Sequence, residues 1–340
     1  MSGWFSIIAA AIAFAITASL GKVTIPFLHK LHYGQTIKEI GPTWHQKKQG
    51  TPTMGGIMFI TGIIIAAALA VPAYYFASRE AETVSLGSLS VVKIWAGVAM
   101  GLAYGIIGFA DDYIKVVKKQ NLGLTAKQKL AAQILVGAAY LGILALFGGD
   151  STTLIPFAGA VKMSPYLYYP LALFIIVGFV NAVNLTDGID GLAASVTGFA
   201  AIVLMTIASL RSVFGMSILA ACVAGGCIGF LIWNFFPAKV FMGDTGSLFL
   251  GGMFVALAFG MDLPIIIIPV GIIYLCEAGS VMLQVAYFKI THGKRIFKMS
   301  PIHHHFEMSG WSEVKIVSVF SAVTLIFGII TILLVYFGLK

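Results

Sequence analysis

Asp111 and Asp112 in GFADDY, Asp187 and Asp190 in NLTDGIDGL, and Asp244 in FMGDTGSL are five carboxylates set beside long apolar runs. An aspartate at mid-helix in a bilayer costs about 2.5–3.5 kcal/mol on insertion scales, and grouping several without a countercharge is worse. A divalent cation relieves that repulsion. The five acids therefore point to a carboxylate cluster that binds a metal, against the plainer reading of separate solvated helix caps.

Each segment adds chemistry of its own. Adjacent helical residues point about 100° apart, so Asp111 and Asp112 are expected to do two jobs, one toward the pocket and one toward its wall. Asn184, Asp187 and Asp190 recur at three-residue steps, which on a helix fans them over one face. That array suits nucleoside or sugar hydroxyls, or support of a metal, while the same residues with Gly188 and Gly191 also make a turn. Asp244 and Thr245 lie between Gly243 and Gly246 at an expected helix start, where free N–H groups favour a phosphate and Asp244 can bring a cation to it. Asp244 as a plain N-cap is the alternative. His303, His304 and His305 in SPIHHHFE diverge in any regular backbone and cannot all face one metal, so a loop for phosphate or sugar is expected. In GPTWHQKKQGTPTMGG, Lys48 and the backbone amides offer an anion site, with Lys48 the preferred substrate contact. Glu277 and Gln284, seven apart, share one face of a late apolar helix, where Glu277 serves the site or bonds a neighbouring helix.

The elements that must hold these residues are membrane helices. The chain has 340 residues, 59% hydrophobic and 10% charged, with a mean hydropathy of +0.97. Those values exclude a water-soluble globule. Runs long enough to span a bilayer fall near 4–28, 53–76, 91–110, 128–147, 166–184, 191–210, 213–235, 246–262, 264–290 and 315–338, so an all-α polytopic membrane protein of ten helices is predicted, a single domain over 1–340. Trp4 to Leu28 lacks a basic start and is expected to remain as the first span. The net charge of +8 comes from 21 Lys and Arg against 13 Asp and Glu. Fifteen basic residues, Lys48, Lys115, Lys129 and Lys298 among them, fall on one set of connections and only Arg79, Lys93, Lys162, Arg211 and Lys340 on the other. The first set is read as cytoplasmic, which puts the acids on the cytoplasmic face and both termini outside, and explains the charge without nucleic acid. Gly97, Gly101 and Gly105 read as a close helix contact. Pro264 and Pro269 predict a kinked or broken ninth span, and the stretch around 148–165 a small hairpin. Cys222, Cys227 and Cys276 are read as small core residues.

Taken in order, GTPTMGG, GFADDY, NAVNLTDGIDGLA, FMGDTGSL and PIHHHFE closely resemble the phospho-N-acetylmuramoyl-pentapeptide transferase family, within the polyprenyl-phosphate N-acetylhexosamine-1-phosphate transferase superfamily. The resemblance covers essentially the whole chain. It implies a Mg²⁺-dependent transfer of phospho-MurNAc-pentapeptide from UDP-MurNAc-pentapeptide to undecaprenyl phosphate in the bacterial inner membrane, giving lipid I and UMP. That is the first membrane step of peptidoglycan synthesis. It further implies Asp244 as the Mg²⁺ ligand, Asp111 as the base that deprotonates the acceptor phosphate, and Asp112 beside it. Lys48, Thr53, Asn184, Asp187, Asp190, Phe241 and Gln284 would line the uridine pocket, with Asn234 and His303, His304 and His305 handling sugar and phosphates. A homodimer is compatible with it. Two other readings stand beside this one: an N-acetylglucosamine-1-phosphate transferase of the same superfamily, and a transporter of an anionic metabolite, which calls for polar groups near the bilayer midplane and two related halves.

Overall fold

In the computed structural model, which describes residues 2–30, 48, 50–77, 88–117 and 123–339, the apolar runs are helices. They are α1 (Ser2–Lys30), α2 (Gly56–Ala77), α3 (Leu89–Val117), α4 (Ala126–Leu146), α5 (Pro165–Thr186), α6 (Leu192–Leu210), α7 (Phe214–Asn234) and α8 (Gly243–Gly260). A 3₁₀ turn at Pro264–Ile266 then leads to α9 (Ile267–Val270), α10 (Ile272–Ile290), α11 (Ile302–Glu307) and α12 (Glu313–Gly338). Among the described residues nine helices are long and apolar enough to cross a membrane, and α9 with α10 forms a broken tenth, bent by 78°. The break follows from Pro269 and Gly271: a proline removes a ladder hydrogen bond, and a Cβ on Gly271 would meet the Ile267 carbonyl at 2.6 Å.

The predicted hairpin is present as β1 (Thr152–Ile155) and β2 (Gly159–Lys162), antiparallel with Thr152 opposite Lys162. Lys38, Lys47, Arg79, Lys118, Lys119 and Lys340, which entered the charge comparison, lie outside the described residues.

Two expected boundaries move, and both moves matter. The third span was expected to end at 110, yet α3 runs on to Val117, so Asp111 and Asp112 sit inside its last turns. The eighth was expected from 246, yet α8 begins at Gly243 and takes Asp244 and Thr245 into its first turn. Hydropathy stops at charged residues, whereas the backbone ladder continues wherever those charges find partners. The histidine segment, expected as a loop, is the six-residue helix α11. Cys222 and Cys227 are buried as read, but Cys276 is exposed on α10, since a helix at the bundle edge turns one face outward.

Helix α8 is the centre of the bundle, with 89% of its spanning window buried, against 22% for α1 and for α4 at the periphery. Glycines let its neighbours come close. A Cβ on Gly97 would lie 2.9 Å from that of Ala256, one on Gly101 2.6 Å from the Met253 sulfur, and one on Gly105 3.4 Å from the Phe249 Cβ. The small-residue spacing is thus the α3–α8 contact. Within a bilayer such contacts draw on van der Waals packing, since lipid tails are as apolar as leucine. Gly108 extends the row one turn further, where a side chain would run into the carbonyl of Asp244.

Replacing Gly108 by Ala is expected to lower stability by about 1–3 kcal/mol, as overpacking does, and to depress activity by moving Asp244. Gly142→Ala, at a site with nothing within 4 Å of the added methyl, is the matched control. Thermal unfolding of both in detergent checks this, and equal Tm values would contradict it.

Candidate active site

The acid cluster is built where the C-terminal turns of α3 meet the first turn of α8. Helix α8 begins without a side-chain cap of its own. Asp112 supplies it from α3: Oδ1 accepts from the Asp244 N–H at 3.2 Å, and Oδ2 from the Thr245 N–H at 2.9 Å and the Thr245 hydroxyl at 2.7 Å. Asp244 is therefore not the cap that one reading of the sequence allowed. Gly243, at φ +70°, makes this approach possible, because a Cβ there would sit 2.5 Å from Asp112 Oδ2 and 2.8 Å from the Thr53 hydroxyl.

The Asp244 carboxylate is held by side chains. Its Oδ1 accepts from Asn184 Nδ2 at 2.7 Å, and its Oδ2 from Lys115 at 2.9 Å and Lys129 at 3.0 Å. Lys115 also pairs with Asp111 one turn back on α3, while Asp112 is 4.0 Å away. Asp111 Oδ1 accepts from the Leu124 N–H at 2.8 Å, which ties the start of the α4 segment to the cluster. Asn184 is oriented in turn by the Ser247 hydroxyl at 2.8 Å.

Oxygen atoms of Asp111, Asp112 and Asp244 all lie within 4.8 Å of one another. Two unit charges at that distance repel by about 3 kcal/mol at an effective dielectric of about 20. Lys115 and Lys129 offset only part of this, two ammonium groups against three carboxylates. Hard oxygen donors with a residual negative charge are the set a Mg²⁺ ion takes. Asp187 lies just beyond the end of α5. Burial and the nearby Asp244, Asp112 and Asp190 carboxylates push its pKa well above the usual range.

Asp190 belongs to a second group. Lys48 Nζ lies 2.7 Å from Asp190 Oδ1 and 2.7 Å from Glu313 Oε2. Glu313 Oε2 also accepts the Asp190 N–H at 2.9 Å, and Asp190 Oδ2 the Ala238 N–H at 2.9 Å. Asn234 spans the same region, accepting from the Gly191 N–H at 3.2 Å and donating to the Val240 carbonyl at 2.9 Å. The Phe241 backbone pairs with Pro52 and Gly55 at 2.8 Å each, which fixes this residue on the segment that carries Thr53. Four segments distant in sequence are thereby fastened together.

The histidines separate into three environments, as their spacing requires. His303 is buried with Nδ1 3.0 Å from Glu277 Oε2, and His304 Nδ1 is 2.6 Å from Glu307 Oε2. His305 Nδ1 accepts the Lys298 N–H at 3.1 Å. Gln284 Oε1 accepts the N–H groups of Ile296 and Phe297 at 3.0 Å each, so its amide holds backbone.

A family model described as glycosyl transferase family 4 matches residues 94–262, the stretch that holds every acid of the cluster. A second, the phospho-N-acetylmuramoyl-pentapeptide-transferase signature 1, matches residues 48–60, from Lys48 into α2. Curated relatives carrying the name phospho-N-acetylmuramoyl-pentapeptide-transferase match nearly end to end. That of Desulforamulus reducens is 44% identical over 330 residues, 96% of this chain and 94% of the relative. That of Bacillus subtilis is 43% identical over 319 residues, 94% of each. The chain belongs to the phospho-N-acetylmuramoyl-pentapeptide-transferase family. It is accordingly a phosphoglycosyl transferase of peptidoglycan synthesis, with the acid cluster inside the region that the broader family shares and Lys48 inside the narrower signature.

Lys115, three residues after Asp112 and so its expected helix-end partner, pairs more closely with Asp111 and lies 4.0 Å from Asp112. Two residues of the site had no place in that reading. Glu313 had a faint signal, an acid opening an apolar helix directly after Ser312. Lys129 had none, being one lysine in a basic connection.

The pairing of Lys48 carries an expectation. Lys48→Met leaves Asp190 and Glu313 facing each other without a cation, and breaking a buried pair on one side typically costs about 3–5 kcal/mol. The variant should lose thermal stability as well as turnover. An unchanged Tm with a raised donor KM alone would make Lys48 a substrate contact and not a fastener.

Proposed function

We propose that this transferase moves phospho-MurNAc-pentapeptide from UDP-MurNAc-pentapeptide to undecaprenyl phosphate in a Mg²⁺-dependent reaction, forming lipid I and releasing UMP at the cytoplasmic face of the bacterial inner membrane. The observation that carries the reading is the placement of Asp111, Asp112 and Asp244, with donor oxygens within 4.8 Å, at one end of a bundle 43–44% identical to relatives of that name. In the balanced reaction an acceptor phosphate oxygen bonds to the phosphorus bearing the sugar, and the bridging oxygen leaves with UMP.

Asp244 is the residue that would hold the ion, since Asp112 has both oxygens committed to α8. Bound there, Mg²⁺ supplies charge neutralisation at the diphosphate and the leaving group. Asp111 receives the proton of the acceptor phosphate. Lys115 and Lys129, the two ammonium groups at the cluster, would pair with phosphate oxygens of the substrates. Thr53, Asn184, Asp187 and Phe241 contact the nucleotide, on a frame held by Lys48, Asp190, Asn234 and Gln284. The three histidines act on the sugar-phosphate side.

UMP release in detergent with polyprenyl phosphate tests the reaction: it should require Mg²⁺ and stop with a chelator, and efficient use of UDP-N-acetylglucosamine would favour the sister branch. Asp244→Asn should raise the Mg²⁺ concentration needed, because an amide is a poorer partner for a hard cation. Asp111→Asn should keep that requirement and lose about 10²–10⁴-fold in rate, partly regained at higher pH where the acceptor phosphate ionises unaided. Equal loss of metal dependence in both would overturn these roles.

Sidedness is tested in a cysteine-free background. A cysteine at Lys298 should resist an impermeant thiol reagent in intact cells and one at Ala160 should react; the reverse pattern would invert the topology.

A further inference from the structure

Glu277 on α10, to which the reaction above gives no role, pairs with His303 on α11. Both side chains are buried, at 0% and 1% exposure, with Glu277 Oε2 3.0 Å from His303 Nδ1. The other polar atom of each, Glu277 Oε1 and His303 Nε2, has no hydrogen-bond partner among the described residues. Buried polar atoms in that state call for an explanation, and a buried ion pair is no better for stability than apolar residues of the same volume.

The geometry fixes where the imidazole proton belongs. On Nδ1 it is donated to Glu277, whereas on Nε2 it would be a buried donor without an acceptor. The Nε2 edge meets Gly188: a side chain there would collide with the His303 ring at Nε2 and Cε1. Gly188 directly follows Asp187 and lies two residues before Asp190, in the turn joining α5 to α6. The ring is therefore a wall against which that turn is set, and only a glycine fits between.

We propose that Glu277 is a positioning residue, which holds His303 in one ring orientation with Nδ1 protonated and the bare Nε2 edge on Gly188, and so sets the turn that presents Asp187 to the nucleotide donor. The proposal rests on the donor-contact reading of Asp187. The arrangement resembles the outer carboxylates that fix the tautomer of a histidine at a metal centre, whose loss costs about 10–100-fold in affinity or activity. Glu277 lies on the long limb of the broken span, so the bend at Gly271 is what brings its carboxylate to α11.

The test uses the full chain in detergent micelles with ring-¹⁵N histidine, the signal of His303 among the seven histidines being assigned by its loss in His303→Asn. The wild type should show a protonated Nδ1 and a bare Nε2, and Glu277→Leu should shift that signature. Glu277→Gln keeps an acceptor for the Nδ1 proton, so its donor KM should stay within about threefold of wild type. Glu277→Leu should raise the donor KM about tenfold or more, with the KM for polyprenyl phosphate unchanged. A protonated Nε2 in the wild type, or equal changes in the two KM values, would overturn the proposal. The spectrum reads the tautomer without turnover, so a failure of the proposed reaction would be seen separately, as absent UMP release by the wild type.

Discussion

The site depends on one contact, the Asp112 carboxylate seated on the N-terminal amides of α8. The first amides of any helix lack intrahelical partners, and at the edge of hydrocarbon an unsatisfied amide is costly. Helix α8 solves this with a side chain from another helix, which works only because Gly108 and Gly243 have no side chains to hold the two backbones apart. Once α3 and α8 are locked in this way, the separation of Asp111 from Asp244 is set as well.

The remaining charges sort by how fully their oxygens are taken. Asp112 and Asp190 accept backbone N–H groups on both carboxylate oxygens or on one oxygen opposite a lysine, so they hold structure. Asp244 is held by two ammonium groups and an amide. Acidic residues close together in the site thus divide into those held by the backbone and those held by side chains. The division follows from which donors are covalently part of the fold and which are tips of flexible lysines. Lys48, Asp190 and Glu313 do for the connections what Asp112 does for the helices, joining the starts of α2, α6 and α12 at the same end of the bundle.

Much of this was legible in the sequence. Runs of apolar residues marked each span, the prolines at 264 and 269 marked the broken one, and the spacing of Gly97, Gly101 and Gly105 marked the α3–α8 contact. The three clustering acids were visible as charges that only a membrane end tolerates. What stayed hidden was pairing at a distance. Nothing in GFADDY tells Asp111 from Asp112, because the difference lies in which carboxylate meets α8 more than a hundred residues later. Lys48 was legible as a cation beside the site but not as one already matched by Glu313. The helical form of the histidine segment was masked by its polarity and by Pro301.

The end of the bundle opposite the acids is tied together by hydrogen bonds and an ion pair. The hairpin strand β1 donates from Leu154 to the carbonyl of Asp262, and Phe157 at the hairpin tip donates to that of Gly338. Lys93 grips the Asp262 carboxylate from α3 at 2.6 and 2.7 Å, and Arg211 reaches from α6 to the Leu339 carbonyl at 2.7 Å. Helices α3, α6, α8 and α12 are bound together there like pages at a spine. Any loosening of these helices against one another is then restrained at that end.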